Sequence, residues 1–163
     1  MKKFVMLFVT LLMVFYVHAQ DLKIGSDLPK FELNSSIYGS VTSADLKNKV
    51  VLVSLFATWC APCQKELADI QSTLWPTYKD NKDFVLLVIG REHTDADLQK
   101  YNERKKFAFP LYPDSTRKVF SLFAEKSIPR TYLFGKNGKL VYSSVGYTAD
   151  DFLKLMEKIK EIL

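Results

Sequence analysis

Two residues separate Cys60 and Cys63, the only cysteines in the 163-residue chain, within the stretch WCAPCQK. This spacing occurs in redox-active pairs, in metal sites and in haem attachment motifs. Haem attachment requires a histidine directly after the second cysteine, and that position holds Gln64. A structural zinc site needs about four ligands. The chain after residue 20 contains two cysteines and one histidine, so a zinc site is a poor fit.

A purely structural disulfide is the remaining simple alternative. It would close a very small loop, and such a loop restrains little of the unfolded chain. A pair of thiols that cycles between the reduced and oxidised states explains this spacing better. The motif therefore predicts redox chemistry at Cys60 and Cys63.

The cysteines are predicted to lie at the start of a helix. The apolar run VVLVSLFAT at residues 50–58 is typical of a strand buried on both faces, and Pro62 suits the first turn of a following helix. A helix N-terminus stabilises a thiolate. We therefore expect Cys60 to be the exposed nucleophile and Cys63, one turn further along, to be the buried resolving thiol.

The rest of the chain alternates strand and helix patterns. An alternation of this kind predicts an α/β fold with a mixed central sheet flanked by helices on both faces. The cysteines would then lie at the carboxyl end of a strand, where open α/β sheets carry their sites. The predicted elements are strands in PKFEL, SIYGSVTS, 50–58 and 83–90, a helix from the cysteines to Pro76, helices at 94–107 and 115–126, strands in RTYLFG and KLVYSS joined by Asn137-Gly138, and a final helix from Thr148.

The stretch FATWCAPCQKE closely resembles the active-site segment of thioredoxin-like proteins, especially the exported TlpA/ResA branch. GSDLPKFEL is similar to the opening segment of that branch, and SIPRTYLFGKNGKLVYSSVGY is similar to the block that carries a cis-proline. Residues 91–110 resemble the helix-bearing insertion of the branch. The resemblance covers essentially the whole chain after the first 19 residues. It implies a thioredoxin fold with an N-terminal extension and a central insertion, and it implies thiol–disulfide oxidoreductase activity.

The resemblance also implies a substrate-binding surface around the cysteines. Pro129 would be the cis-proline, and its loop would pack against the pair. Trp59, Pro62, Ile128 and Gly146 would line a shallow apolar face. There the backbone of Ile128 would pair with an extended substrate strand, a recognition mode known as β-augmentation.

Glu66 corresponds to a glutamate that the TlpA/ResA branch places three residues after the second cysteine. Cytosolic thioredoxins instead carry a buried acid six residues before the first cysteine, and here that position is Ser54. A spacing of three places Cys63 and Glu66 on one helical face, so proton exchange between Glu66 and the thiols is possible. A solvent-facing glutamate is the alternative. For His93 we expect a surface or capping role.

Residues 1–19 predict a secretory signal peptide. Lys2 and Lys3 precede an uncharged, mostly apolar run, and Val17-His18-Ala19 resembles a cleavage site. An uncleaved membrane anchor is the alternative, although a spanning helix needs about 20 apolar residues. Cleavage would leave residues 20–163 as one thioredoxin-like domain. Loss of the two lysines lowers the formal net charge from +5 to +3, which is too weak to indicate a nucleic-acid partner.

These observations predict an exported thiol–disulfide oxidoreductase that reduces disulfides of envelope proteins, in the periplasm or cell envelope. We expect it to be a monomer without a metal or organic cofactor and without a stable membrane anchor. Its partners would be protein disulfides and, by the resemblance, an electron donor in the membrane. The alternatives are a disulfide oxidase or isomerase, a peroxidase of the same fold, and a copper-handling module. The usual peroxidatic Thr-x-x-Cys with a distant arginine is not evident, and copper carriers of this fold space their cysteines by three residues.

Overall fold

The computed structural model describes residues 21–163. The predicted signal peptide lies outside the described residues and remains a prediction. Each helix and strand is labelled by its order in the chain. The elements are β1 (Glu32–Ser35), β2 (Gly39–Thr42), β3 (Val50–Phe56), α1 (Ala61–Asp69), α2 (Trp75–Tyr78), β4 (Phe84–Arg91), α3 (Asp95–Lys105), β5 (Leu111–Asp114), α4 (Phe120–Phe123), β6 (Arg130–Phe134), β7 (Leu140–Val145) and α5 (Ala149–Ile162).

Five strands form a mixed central sheet in the order β5-β4-β3-β6-β7, and β1 and β2 form a separate hairpin. β3 runs parallel to β4 and antiparallel to β6. The pairs β4–β5 and β6–β7 are parallel and antiparallel, respectively. The predicted mixed sheet flanked by helices is therefore confirmed. β3, which leads to the cysteines, is the central strand.

Every residue of β3 is buried because apolar layers cover both faces of the sheet. Successive side chains of a strand point to opposite faces. Val50 and Leu52 therefore pack with α1, α3 and α5, whereas Val51 and Val53 pack with α4 and the β1–β2 hairpin. Two fully packed layers explain why this strand is an unbroken apolar run in the sequence.

The helix after the cysteines does not end at Pro76, as the sequence had suggested. A π-helical turn at Ile70–Leu74 follows α1, and Pro76 then lies in the first turn of α2. The amide of Trp75 donates to the carbonyl of Ile70, five residues back. Proline cannot donate a helical hydrogen bond, but it is tolerated in a first turn, where that bond is not required.

The helix predicted at 115–126 is much longer than the one observed there, and a strand that was not predicted precedes it. Only Phe120–Phe123 is α-helical, while Leu111–Asp114 forms the edge strand β5 beside β4. Pro113 lies within β5, a position that proline tolerates on an edge strand. The Asp114 carboxylate accepts hydrogen bonds from the amides of Val119 and Phe120, at 3.1 and 2.7 Å, and fixes the start of α4.

The N-terminal extension and the central insertion contact each other. The insertion contains α3, whose N-cap Thr94 forms a capping box with Asp97. At the start of α3 the Asp95 carboxylate accepts hydrogen bonds from the Ser35 hydroxyl and the Ser36 amide, both at 2.7 Å. These bonds tie the β1–β2 hairpin to the insertion. Within residues 21–163, no helix combines the length and apolar character needed to cross a bilayer.

Candidate active site

Cys60 and Cys63 form a disulfide at the junction between β3 and α1. Cys60 is the N-cap of α1 and has an extended backbone, and Pro62 lies in the first helical turn. The Cys63 amide donates to the Cys60 sulfur at 3.2 Å. The cysteines therefore lie at the carboxyl end of a central strand and at the start of a helix, as the sequence predicts.

The two cysteines differ in their access to solvent, but less than expected. Cys60 is 5% exposed and Cys63 is fully buried. The expectation of an exposed Cys60 is therefore wrong for this oxidised form, because both cysteines belong to an apolar cluster against which Ile128 packs. Trp59 precedes the pair and Pro62 lies between the two cysteines, and both side chains are exposed, with 64% of Trp59 accessible.

The loop before β6 contains the expected cis-proline. The Ile128–Pro129 peptide bond is cis. Pro129 is buried, Ile128 is half-buried, and the Gly146 amide donates to the Pro129 carbonyl at 2.9 Å. Within residues 21–163, the backbone of Ile128 has no hydrogen-bond partner. Ile128 therefore packs against the apolar cluster that contains the cysteines, and its peptide unit is unpaired within residues 21–163.

Glu66 is buried, so the alternative of a solvent-facing side chain is wrong. Its carboxylate accepts hydrogen bonds from the hydroxyls of Thr131, at 2.5 Å, and Ser54, at 2.8 Å. Ser54 and Thr131 are direct partners across β3 and β6. Burial raises the pKa of Glu66, and these two hydrogen bonds partly oppose the effect. The site thus holds a carboxyl group that binds its proton more tightly than an exposed glutamate does.

The carboxylate of Glu66 lies directly beside Ser54. Glu66 reaches Ser54 from α1, so an acidic group lies over the position where cytosolic thioredoxins carry an acid on the strand itself. Cys63 and Glu66 are both among the buried residues of α1, on one side of the helix. This arrangement is compatible with the predicted proton exchange, and the catalytic role of Glu66 stays a prediction.

His93 is buried beside the active-site segment, and the expected surface or capping role is wrong. The side chain is 8% exposed, and its Nε2 accepts a hydrogen bond from the Thr58 amide at 3.0 Å. Burial lowers the pKa of His93, while the carboxylates of Asp97 and Glu92 act in the opposite direction. The sequence did offer a signal for this contact. His93 follows β4, which is parallel to β3, so it lies at the carboxyl ends of the strands, as the cysteines do.

Arg91 is a second contact that sequence reasoning missed. Its guanidinium carbon lies 5.8 Å from the centre of the Trp59 ring and 5.0 Å from that of Phe120. It also forms an ion pair with Glu92 at 3.0 Å. Arginine beside an aromatic ring gives a favourable cation–π interaction. The exposed Trp59 is therefore supported from the protein side by Arg91.

Comparisons with known proteins agree with this geometry. The profile of the AhpC/TSA family matches residues 24–143. The thiol-disulfide oxidoreductase ResA of Bacillus thuringiensis (strain Al Hakam) is 27% identical over 137 residues, which cover 84% of this chain and 78% of the relative.

Solved structures give the same result. A candidate protein disulfide isomerase from Bacteroides thetaiotaomicron has a TM-score of 0.83 and 30% identity, covering 87% of this chain and 91% of its own. A candidate thiol:disulfide interchange protein DsbE from Chlorobium tepidum has a TM-score of 0.77 and 25% identity. The match covers 87% of this chain and 99% of the DsbE chain. The expected thioredoxin fold is thereby confirmed. The chain belongs to the AhpC/TSA family of thioredoxin-like proteins and is a thiol–disulfide oxidoreductase.

Proposed function

We propose that this oxidoreductase acts outside the cytoplasm and reduces disulfide bonds of envelope proteins. The observation that carries the proposal is the Cys60–Cys63 pair at the start of α1, beside the cis-Pro129 loop. This arrangement supplies a nucleophile, a resolving thiol and an unpaired backbone segment next to each other. We assign catalysis to Cys60, Cys63 and Glu66, and substrate binding to the surface around them.

The reaction is a pair of thiol–disulfide exchanges. In the reduced enzyme the Cys60 thiolate attacks one sulfur of the partner's disulfide, the partner's S–S bond breaks, and a mixed disulfide forms. The Cys63 thiolate then attacks the Cys60 sulfur and releases the second partner thiol. Two electrons pass to the partner, and the enzyme is left with the Cys60–Cys63 disulfide observed in the structure.

The helix start stabilises the attacking thiolate. Cys60 is the N-cap of α1, where the helix dipole is positive and backbone amides lack helical partners. The Cys63 amide already donates to the Cys60 sulfur in the disulfide form. A hydrogen bond of this kind stabilises the charged form of a sulfur atom.

We propose that Glu66 exchanges a proton with the thiols. Cys63 must lose its proton before it can attack the mixed disulfide, and it is fully buried. Because the pKa of Glu66 is raised, the proton affinity of this carboxyl group is closer to that of a thiol. Glu66 also lies on the same side of α1 as Cys63.

The partner protein would bind as an extended segment across the disulfide. The backbone of Ile128 has no partner among residues 21–163 and can pair with such a segment. Trp59, Pro62 and Gly146 would contact its side chains. Val145, which precedes Gly146 and is 62% exposed, adds apolar surface to the same side.

The location and the electron supply are inferred from the sequence pattern and the family resemblance. The leader at residues 1–19 supports export, and its removal would leave a monomeric domain without a stable membrane anchor. Because each turnover oxidises the cysteine pair, the enzyme needs a source of electrons. We propose a membrane protein that passes electrons outward from the cytosol.

Disulfide isomerisation is the second candidate, because the Bacteroides structural neighbour carries that name. Oxidases and isomerases share the catalytic residues of a reductase. The test compares the rate of insulin disulfide reduction with the rate at which scrambled ribonuclease regains activity. We expect reduction to dominate and to disappear in Cys60→Ser. Efficient reactivation of ribonuclease with negligible insulin reduction would favour the isomerase.

Peroxidase and copper-handling activities have less support. A peroxidatic Thr-x-x-Cys pattern would need threonine at residue 57, which is Ala57. The cysteines are two residues apart, and within residues 21–163 no three histidine, cysteine or carboxylate side chains cluster to hold a metal ion. Peroxide consumption assays and metal titration followed by mass spectrometry would detect these activities.

A further inference from the structure

The segment between β4 and α3 turns sharply toward the active site. Glu92 has a left-handed backbone conformation with φ of 61°, which is uncommon for residues other than glycine. Its amide donates to the Asp114 carbonyl at 2.8 Å, which holds the turn against β5. On either side of Glu92, Arg91 contacts the Trp59 ring and His93 contacts the Thr58 backbone. Two neighbouring side chains thus support the segment that leads into Cys60.

Both polar groups of the Thr58 backbone are held by side chains. The His93 Nε2 accepts from the Thr58 amide at 3.0 Å, and the Gln64 side-chain amide donates to the Thr58 carbonyl at 2.8 Å. The Cys60 amide in turn donates to the Ala57 carbonyl at 3.1 Å. A displacement of Thr58 would therefore move the residues on both sides of Trp59.

The His93 ring has little room to move. Its centre lies 6.5 Å from that of Phe56, and the residue is buried. A Cβ at Gly90 would lie 3.3 Å from the His93 Cδ2 and 2.8 Å from a Leu98 methyl group. The absence of a side chain at Gly90 therefore allows the ring to pack against β4. This packing directs Nε2 at the Thr58 amide.

The hydrogen bond to Thr58 requires a neutral imidazole. A neutral ring can accept at the unprotonated Nε2, whereas an imidazolium carries hydrogens on both nitrogens and cannot accept from an amide. The charged groups near the ring are Glu92 on its own segment and Asp97 on α3, and both favour the imidazolium. Arg91 is paired with Glu92, and the neighbour from β3 is the apolar Phe56. Burial outweighs the carboxylates and favours the neutral ring.

We propose that neutral His93 positions the Thr58–Trp59 segment for reaction at Cys60, and that protonation of His93 releases this segment and slows disulfide exchange. His93 acts through Thr58 and is a positioning residue. The inference rests on thiol–disulfide exchange at Cys60 and is independent of export and of the direction of electron flow.

Trp59 fluorescence in the full oxidised chain tests the proposal. Trp59 and Trp75 are the only tryptophans, so a Trp75→Phe background makes emission specific to Trp59. As the pH falls from 8, we expect one emission transition below 6.5, the ordinary pKa of histidine. His93→Gln, whose side-chain oxygen can accept without titrating, should lack the transition and keep the high-pH emission. His18→Gln removes the chain's only other histidine and should leave the transition unchanged.

The rate of exchange with a small disulfide supplies the second measurement. At pH 8, His93→Gln should react within about twofold of the unmodified protein, and His93→Leu about tenfold more slowly, because the Thr58 amide loses its partner. At pH values below the transition, the unmodified protein should exchange with the small disulfide more slowly than His93→Gln does. A transition that persists in His93→Gln, or equal rates for the two proteins at low pH, would overturn the proposal. These comparisons decide it even if His93→Leu does not fold.

Discussion

At the scale of single residues, the two cysteines are only three positions apart in the sequence but have different environments. Cys60 caps α1 and accepts a hydrogen bond from the Cys63 amide, whereas Cys63 is fully enclosed. Cys60 is therefore the more accessible of the two cysteines, although only 5% of it is exposed in the disulfide form. From this difference we propose that the first cysteine makes the nucleophilic attack and that the second resolves the mixed disulfide.

Serine substitutions test these two roles separately. Cys60→Ser should abolish insulin reduction because the attacking sulfur is lost. Cys63→Ser should still attack but fail to resolve, so mixed disulfides with partner proteins should accumulate on non-reducing gels. If Cys63→Ser keeps normal turnover, the two-cysteine mechanism is wrong.

Glu66 should link catalysis to pH. Glu66→Gln removes the proton acceptor while preserving the size of the side chain and its ability to hydrogen-bond Ser54 and Thr131. We expect slower insulin reduction and an altered pH profile of Cys60 alkylation in the reduced enzyme. An alkylation profile identical to that of the unmodified protein would contradict a role in proton exchange.

The same substitution should change stability in a pH-dependent way. Because burial raises the pKa of Glu66, its contribution to folding is fully present below the unfolded-state value of 4.5 and is lost as the pH rises through the folded-state value. Relative to the unmodified protein, Glu66→Gln should therefore gain stability between pH 4.5 and 8 in urea unfolding. Glu66→Leu should be destabilised at both pH values, by about 1–3 kcal/mol for each hydroxyl left unpaired. A surface glutamate would change stability by no more than about 0.5 kcal/mol at any pH.

The sequence pointed to the two cysteines, Glu66 and the cis-proline, but it missed the contacts of Arg91 and His93 and the hydrogen bonds that connect the site. Cys60, Cys63 and Pro129 follow from motif and resemblance, and helical spacing brought Glu66 to the same side as Cys63. The bonds from Ser54 and Thr131 to Glu66 depend on the pairing of β3 with β6, which are far apart in the chain. The bond between His93 and Thr58 likewise depends on the pairing of β3 with β4. Such partners cannot be identified from local spacing.

At the scale of elements, the helices and strands with a strong apolar pattern or a clear N-cap residue were predicted correctly. The buried strands β3 and β4 are apolar runs, and α3 and α5 begin directly after Thr94 and Thr148, which cap them. β5 was missed because it is short and contains Pro113. The helix at 115–126 was overestimated because Arg117 adopts a left-handed conformation that interrupts it. Both errors lie where tertiary contacts override local propensity.

Gly90 offers a test of the packing between β4 and the insertion. Gly90→Ala should destabilise the protein by about 1–3 kcal/mol in urea unfolding, because the new methyl group would meet the buried side chain of Leu98 at 2.8 Å. Gly135→Ala is the matched control. There the nearest atom, at 3.3 Å, belongs to the exposed side chain of Asn137, which can move. Equal effects of the two substitutions would contradict this account of the packing.

At the scale of the whole molecule, the proposed export depends on residues 1–19, which predict a signal peptide. We expect the mature protein to begin at Gln20 and to be recovered in soluble form outside the cytoplasmic membrane, because the leader resembles a cleaved signal peptide. N-terminal mass spectrometry of the exported protein tests this prediction. A full-length chain retained in membranes would favour the uncleaved anchor.

The direction of electron flow is a property of the whole active site. Ile128 precedes the cis-proline, as in the reducing thioredoxins that this chain resembles. Ala61 and Pro62 bring no positive charge between the cysteines, so the helix start is the main source of thiolate stabilisation. Strong stabilisation of the thiolate favours the reduced form and makes a protein oxidising. Because no positive charge lies between these cysteines, we propose that the protein is a reductant.

The reduction potential of the Cys60–Cys63 pair tests the central claim most directly. It is measured by equilibrating the protein in thiol buffers of set potential and counting free thiols by alkylation and mass shift. We predict a value below about −200 mV, toward the roughly −270 mV of thioredoxin. A value near −120 mV, which is typical of a strong oxidant, would contradict the proposed reductase function.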